Sequence, residues 1–144
     1  MSDEVALLVA DVYELAGALR RRGESLASAE GLTQARWQVL SAVSEESLTV
    51  PQVGRRLGVS RQNVQRVAND LVSLGQAQYL ANPDHRSSPL LSLTEAGRSA
   101  LGRLTSRARK DHRIWAASIP SEEITATRDT IRRMLAELNR HELK

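Results

Sequence analysis

Residues 49–74, TVPQVGRRLGVSRQNVQRVANDLVSL, leave this chain little freedom in how it folds locally. Thr49 stands where a helix needs an acceptor for its first unpaired amides. Pro51 is tolerated in that helix's first turn, where backbone donors lack partners. Gly58 falls where the helix must stop and the chain reverse. Ser60 is placed to cap a second helix, which runs without proline or glycine to Leu74 and ends at Gly75. Gly54 is small enough for the two helices to approach closely, while Val53, Leu57, Val59, Val64 and Val67 supply apolar surface between them. The spacing predicts a helix-turn-helix.

The second helix divides into two faces. At 3.6 residues per turn, Val64, Val67, Leu71 and Leu74 form one stripe, expected to be buried. The opposite side carries Gln62, Gln65, Arg66, Asn69 and Ser73, with Arg61 on its shoulder. Glutamine and asparagine can pair with adenine, and arginine with guanine, through two hydrogen bonds in the major groove. A merely solvated helix more typically offers Glu and Lys at such positions. This side is therefore expected to read a duplex.

Charge distribution points the same way. The 144-residue chain carries a formal charge of +3, with a 41% apolar content that is enough for a core but contains no Phe. Packing must rest on Leu, Val and Ala, which suits helices. Between Pro51 and Leu93, Arg55, Arg56, Arg61, Arg66 and Arg86 face only Asp70 and Asp84, whereas residues 1–30 hold an acidic excess. With no Cys, disulfides, thiol redox sensing and cysteine metal sites are excluded. The histidines, at 85, 112 and 141, form no catalytic triad and no metal-ligand spacing, so neither an enzyme nor a metal or cofactor is expected. The N-terminus lacks a basic region followed by a cleavable apolar core, and no window approaches the ~18 apolar residues of a membrane span, so a cytoplasmic protein is expected.

Elsewhere the pattern is mostly helical. Val5, Leu8, Val9, Val12, Leu15, Ala16 and Leu19 recur at helical spacing over residues 3–22, predicting an amphipathic helix that ends near Gly23. Thr33 caps a helix to about Val43, with Trp37, Leu40 and Val43 inward. After Gly75, Ala77–Ala81 and Leu90–Leu93 read as strands, joined by the turn-rich stretch 82–89. Such a two-stranded hairpin is marginal alone and must lean on the helices. Thr94-Glu95 opens a long helix with Leu101, Leu104, Ala108 and Trp115 inward. Pro120 interrupts it, and Ser121-Glu122-Glu123 starts a last helix striped by Ile124, Thr127, Ile131, Met134 or Leu135, and Leu138. The expected fold is mostly α with a small β-hairpin wing. A winged helix-turn-helix over 32–97 is flanked by dimerisation segments 1–31 and 98–144. The terminal helices carry more apolar stripe than so small a monomer can cover, which favours a twofold dimer over a single globule.

The order LTQARWQVL (32–40), LTVPQVGRRLGVSRQNVQRVANDLVSLG (48–75) and NPDHRSSPLLSLTEAG (82–97) resembles the MarR family of bacterial winged helix-turn-helix regulators, the wing followed by LTEAG being its most specific part. The resemblance implies a homodimer joined by terminal helices, each subunit placing a recognition helix in a major groove of double-stranded DNA. It also implies a wing arginine in or near the minor groove. Asp84 and Arg86 supply the family's acid–x–Arg pattern one position early, and Ser87 stands where many relatives have a second arginine. Arg86 is the wing candidate. The family often binds small, frequently aromatic anions between the dimer helices and the winged module. Tyr13, Trp37, His112, Arg113 and Trp115 are the candidates for such a site, against the competing reading that the tryptophans are core and the rest solvated.

The resulting expectation is a sequence-specific repressor. Arg55, Arg56, Ser60 and Arg61 would contact phosphates, with Arg36 a further candidate, and Gln62, Gln65, Arg66 and Asn69 would face the bases. Two alternatives stand beside it. One is a winged helix used for protein–protein contact, and the other a DNA-binding architectural protein without sequence preference.

Overall fold

The computed structural model describes residues 3–142. In chain order it contains α1 (Glu4–Ser28), α2 (Gln34–Ala42), β1 (Leu48–Thr49), α3 (Val50–Leu57), α4 (Arg61–Ser73), β2 (Ala77–Leu80), β3 (Leu90–Leu93), α5 (Glu95–Trp115) and α6 (Ser121–Arg140). Contacts divide the chain into two compact units, one ending at Ala108 and the other beginning at Arg109.

In the first unit the helix starts follow their caps. Thr33 Oγ1 accepts from the Arg36 amide at 3.1 Å, and Ser60 Oγ from the Asn63 amide at 3.1 Å. Thr49 and Gln52 form a reciprocal capping box: Thr49 Oγ1 accepts from the Gln52 amide, and Gln52 Oε1 from the Thr49 amide. Gly58 ends α3 in the left-handed region at φ 69°, where any other L-residue would be strained. The core is aliphatic, and Leu40, Leu71, Leu91, Leu104, Val53 and Val64 are its largest fully buried side chains. Gly54 lies buried at the α3–α4 crossing, where a Cβ would come within 3.1 Å of the Val59 carbonyl oxygen.

Several sequence expectations need correction. β2 and β3 pair as the expected hairpin, and a third strand joins them. β1, only Leu48–Thr49, pairs antiparallel with β3 and completes a sheet of order β1-β3-β2. α1 does not end near Gly23 but continues to Ser28. Gly23 is buried there because α2 crosses closely, and an added Cβ would meet Gln34 Cγ at 2.9 Å. Val59 and Leu74, assigned to the apolar seam, are 47% and 52% exposed. Both lie just outside their helices, where the stripe no longer points inward. Trp115 is an exposed residue at the end of α5 rather than an interior one, although Leu104 and Ala108 are buried as expected.

The start of α5 explains the LTEAG sequence. Thr94 Oγ1 donates to the Gly75 carbonyl at 2.6 Å and accepts from the Gly97 amide at 3.1 Å, so one hydroxyl caps α5 and ties it to the end of α4. Gly97 packs directly on the Gln76 backbone, leaving no room for a Cβ beside that carbonyl. Farther along α5, Arg103 and Arg107 donate to the two carboxylate oxygens of Glu30 at 2.9 and 2.8 Å. These bonds, with Arg107 the stronger influence, hold the Glu30 carboxyl below its ordinary value of 4.5. In the second unit, α6 starts after Pro120 with Glu122 and Glu123 in its first turn, and none of its residues is buried.

Two outcomes are expected. Gly97→Ala should lower the thermal unfolding temperature through a loss of about 1–3 kcal/mol from overpacking against backbone. Gly102→Ala, at a helical site where a Cβ meets nothing within 4 Å, should leave it equal or raise it. The lowered pKa of Glu30 gives a second expectation. Its contribution is present above 4.5 and is lost as pH falls through the depressed folded value. The gap in unfolding temperature between wild type and Glu30→Gln should therefore be full at neutral pH and close in acid.

Candidate nucleic-acid interface

α4 is gripped on one side only. Val64, Val67, Ala68 and Leu71 are buried, and α2, α3 and β2 pack around them. That grip leaves Arg61, Gln62, Gln65, Arg66, Asn69 and Ser73 exposed, the residues expected to face a duplex. The sole acid of α4, Asp70, is half-buried and accepts from Arg36 Nη2 at 3.5 Å. The outward face is thus free of negative charge.

Internal partners sort the arginines. Arg36 is bound to Asp70. Arg56 donates to the Ala42 carbonyl at 3.1 Å and lies 3.6 Å from Glu46. Arg55, Arg61, Arg66 and Arg86 are exposed and have no ion pair or side-chain hydrogen bond among the described residues. Ser60 Oγ accepts from the Asn63 amide with one of its lone pairs, and its O–H remains available to donate.

The wing tip is knitted by Asn82. Its Oδ1 accepts from the Asp84 amide at 3.1 Å, and its Nδ2 donates to the Ser88 carbonyl at 3.0 Å. The Asn82 carbonyl accepts from the His85 amide, and the His85 carbonyl from the Ser88 amide. Arg86 therefore projects from an ordered turn despite its displaced position in the pattern.

One residue at this surface escaped the sequence reading. Tyr79, on β2 opposite Leu91 of β3, reaches α4 with its hydroxyl. Gln65 Nε2 donates to Tyr79 Oη at 2.8 Å and to Asn69 Oδ1 at 3.1 Å, and Tyr79 Oη donates to Asn69 Oδ1 at 2.7 Å. The three side chains close a ring. Burial, opposed by the Gln65 hydrogen bond, raises the Tyr79 pKa above 10, so the phenol keeps the proton it donates. The available signal was compositional: the chain has four aromatic residues, and one sits mid-strand where a half-buried hydroxyl needs a partner.

The residues named for an anionic effector fall in both compact units. Tyr13 is 75% exposed on α1, while Trp37 is half-buried against the core. His112 and Trp115 meet edge-to-face with ring centroids 5.7 Å apart, and Arg113 lies exposed between them in sequence.

A helix-turn-helix with an exposed polar second helix, flanked by a three-stranded wing, defines a winged helix-turn-helix of the kind that binds DNA. A MarR family model matches residues 30–86. A MarR-family transcriptional regulator from Silicibacter pomeroyi is 26% identical and superposes with a TM-score of 0.78 over 92% of this chain and 90% of its own. The chain belongs to the MarR family of transcription regulators. An uncharacterised protein of Mycobacterium tuberculosis is 59% identical over 138 residues, 96% of each chain. The structure of an E. coli MarR mutant in complex with operator DNA shares the fold at 22% identity, with a TM-score of 0.77 over 93% of this chain and 99% of its own. The family and fold are those of transcription regulators rather than enzymes, and no helix of the described residues is long and apolar enough to cross a membrane.

Proposed function

We propose that this chain is a cytoplasmic, sequence-specific repressor that binds a pseudo-palindromic operator as a homodimer. The observation that carries the reading is the outward face of α4: amides and arginines, no carboxylate, and the one nearby acid turned away to Arg36. Arg55, Arg56, Ser60 and Arg61 contact phosphates and supply most of the affinity. For Arg56 this means releasing or sharing its bonds to Ala42 and Glu46. Gln62, Gln65, Arg66 and Asn69 face the base edges, and Arg86 on the wing reaches the minor groove. A protein of the same fold in complex with operator DNA supports DNA as the partner. A dimer seated across a promoter excludes polymerase, which favours repression.

Dimerisation is assigned to segments 1–31 and 98–144 around the winged domain 32–97. Its support is apolar surface left open. On α1, Val5, Leu8, Val9, Val12, Leu15 and Leu19 are 38–66% exposed, and in the second unit Ile124, Ile131, Leu135 and Leu138 are exposed along α6. A twofold axis covers such stripes with their own copies and sets two recognition helices about one helical turn, roughly 34–36 Å, apart. A small aromatic anion, held either by Tyr13 and Trp37 of the first unit or by His112, Arg113 and Trp115 of the second, would release DNA by favouring a dimer whose recognition helices are misaligned.

Selection of bound fragments from a random duplex pool tests the reading directly. The expected result is a twofold-symmetric motif that resists random-sequence competitor; enrichment of no motif would overturn it and leave a non-specific binder or a protein-docking module. Arg66→Ala should relax preference at one base step by about 1–3 kcal/mol. Arg55→Ala should weaken all sequences alike and reduce the salt slope by about 1. Light scattering should give twice the 15.9 kDa chain mass. The double substitution Leu15→Glu with Ile131→Glu should return the mass to one chain and abolish operator binding.

A further inference from the structure

We propose that His85 is a second DNA contact on the wing, its imidazole donating from Nε2 to a backbone phosphate beside the groove that Arg86 enters and taking up a proton as it does so. The inference rests on the DNA-binding reading above and adds a contact to it. The tip, residues 82–89, carries three side chains that can be charged: Asp84, His85 and Arg86. With a neutral imidazole, Asp84 cancels Arg86 and the tip brings no net charge to a polyanion. With a charged imidazole the tip is positive. The proton on His85 therefore decides whether the tip as a whole is drawn to DNA.

The backbone holds His85 where two turns meet. Its amide donates to the Asn82 carbonyl at 3.2 Å, closing a turn through Pro83 and Asp84. Its carbonyl accepts from the Ser88 amide at 3.2 Å, closing the next turn through Arg86 and Ser87. His85 and Ser87 are both exposed. Among the described residues no ion pair or hydrogen bond reaches the imidazole from another element, and Asp84 and Arg86 are its charged neighbours in the chain. What the ring does meet is Ser87, whose Oγ lies 3.1 Å from Nδ1. One ring nitrogen is thus tethered within the tip, while Nε2 has no partner among the described residues.

The tether suits the charged ring as well as the neutral one. A hydroxyl can donate to a bare Nδ1 or accept from a protonated one, so Ser87 keeps its bond in each state. A phosphate oxygen only accepts, and it selects the forms of the ring that carry a proton on Nε2. Of these it favours the imidazolium, which adds opposite charge to the hydrogen bond. Binding is then coupled to proton uptake, and affinity rises as pH falls through the range in which an imidazole titrates, about pH 6.5. An exposed ion pair is worth little singly, but two wings act on one duplex, so the gain is roughly 2- to 30-fold. Ser87 is a positioning residue that acts through the ring.

The test titrates wild type, His85→Gln and His85→Arg against a duplex bearing the motif that wild type selects, between about pH 5.5 and about pH 8 and over a range of salt. Wild type should bind roughly 2- to 30-fold more tightly at the acid end. Its salt slope there should be steeper by about 2, for one added phosphate per wing. His85→Gln keeps a donor but no titratable charge and should lose both changes. His85→Arg should bind at the alkaline end as tightly as wild type at the acid end. His112 and His141 are present in all three proteins, so the comparison cancels their titration. Both variants should select the wild-type motif, because a phosphate carries no base identity. Their thermal unfolding should match wild type, since the imidazole makes no contact outside the tip among the described residues. A wild-type pH response equal to that of His85→Gln, or a changed base preference in either variant, would sink the inference while leaving the DNA-binding reading intact. A wild type that enriches no motif would remove both.

Discussion

The one-sided burial of α4 is the constraint from which the rest of the surface follows. Val64, Val67, Ala68 and Leu71 occupy a single stripe, and once they enter the core the helix cannot rotate without exposing them. At ~25 cal/mol per Å² of apolar surface, turning even two such side chains into water costs more than typical hydrogen bonds on the opposite face could repay. The directions of Gln62, Gln65, Arg66 and Asn69 are therefore set by residues that never face the solvent. Gly54 serves the same end from α3. Its missing Cβ lets the Val59 carbonyl lie close above it, which shortens the turn and places Ser60 to cap α4.

A second junction couples this helix to the wing and to α5. The chain leaves α4 through Gly75 at φ 74°, and the Thr94 hydroxyl returns across the sheet to bond the Gly75 carbonyl. Gly97 then allows the first turn of α5 to lie on the Gln76 backbone. The Thr94 amide also donates to the Gln76 carbonyl at 3.1 Å. Three elements, α4, β3 and α5, thus share one short stretch of main chain. Tyr79 adds a further link to Gln65 and Asn69, so the wing is joined to α4 at both its base and its strand.

What the sequence made legible was whatever depends on neighbours a few residues away. Thr33, Thr49 and Ser60 cap helices, Gly58 and Gly75 end them, and the spacing of Val64, Val67 and Leu71 gives the buried stripe. The misreadings share a cause. Gly23 looks like a terminator, but its smallness serves the crossing with α2, a contact to Gln34 that periodicity does not register. β1 is two residues long and exists because Leu48 and Thr49 pair with Leu91 and Leu90 far along the chain. Val59 and Leu74 continue an apolar pattern beyond the helices that give the pattern its direction. Tyr79 meets Gln65 and Asn69 across 14 and 10 residues, and only the return of β2 against α4 brings them together.

Acids distribute the arginines between structure and surface, which is why a net charge of only +3 is compatible with a strongly basic face. Glu30 engages Arg103 and Arg107, Asp70 holds Arg36, and Glu46 lies beside Arg56. Of these carboxylates only Asp70 belongs to α4, and it is turned to Arg36. Long-range attraction between solvent-exposed charges fades over about 10 Å at ordinary salt. A phosphate approaching α4 therefore senses Arg55, Arg61 and Arg66 more than the acids beyond them. The total charge averages over these two populations, and only their placement separates the guanidiniums already committed to the fold from those open to a polyanion.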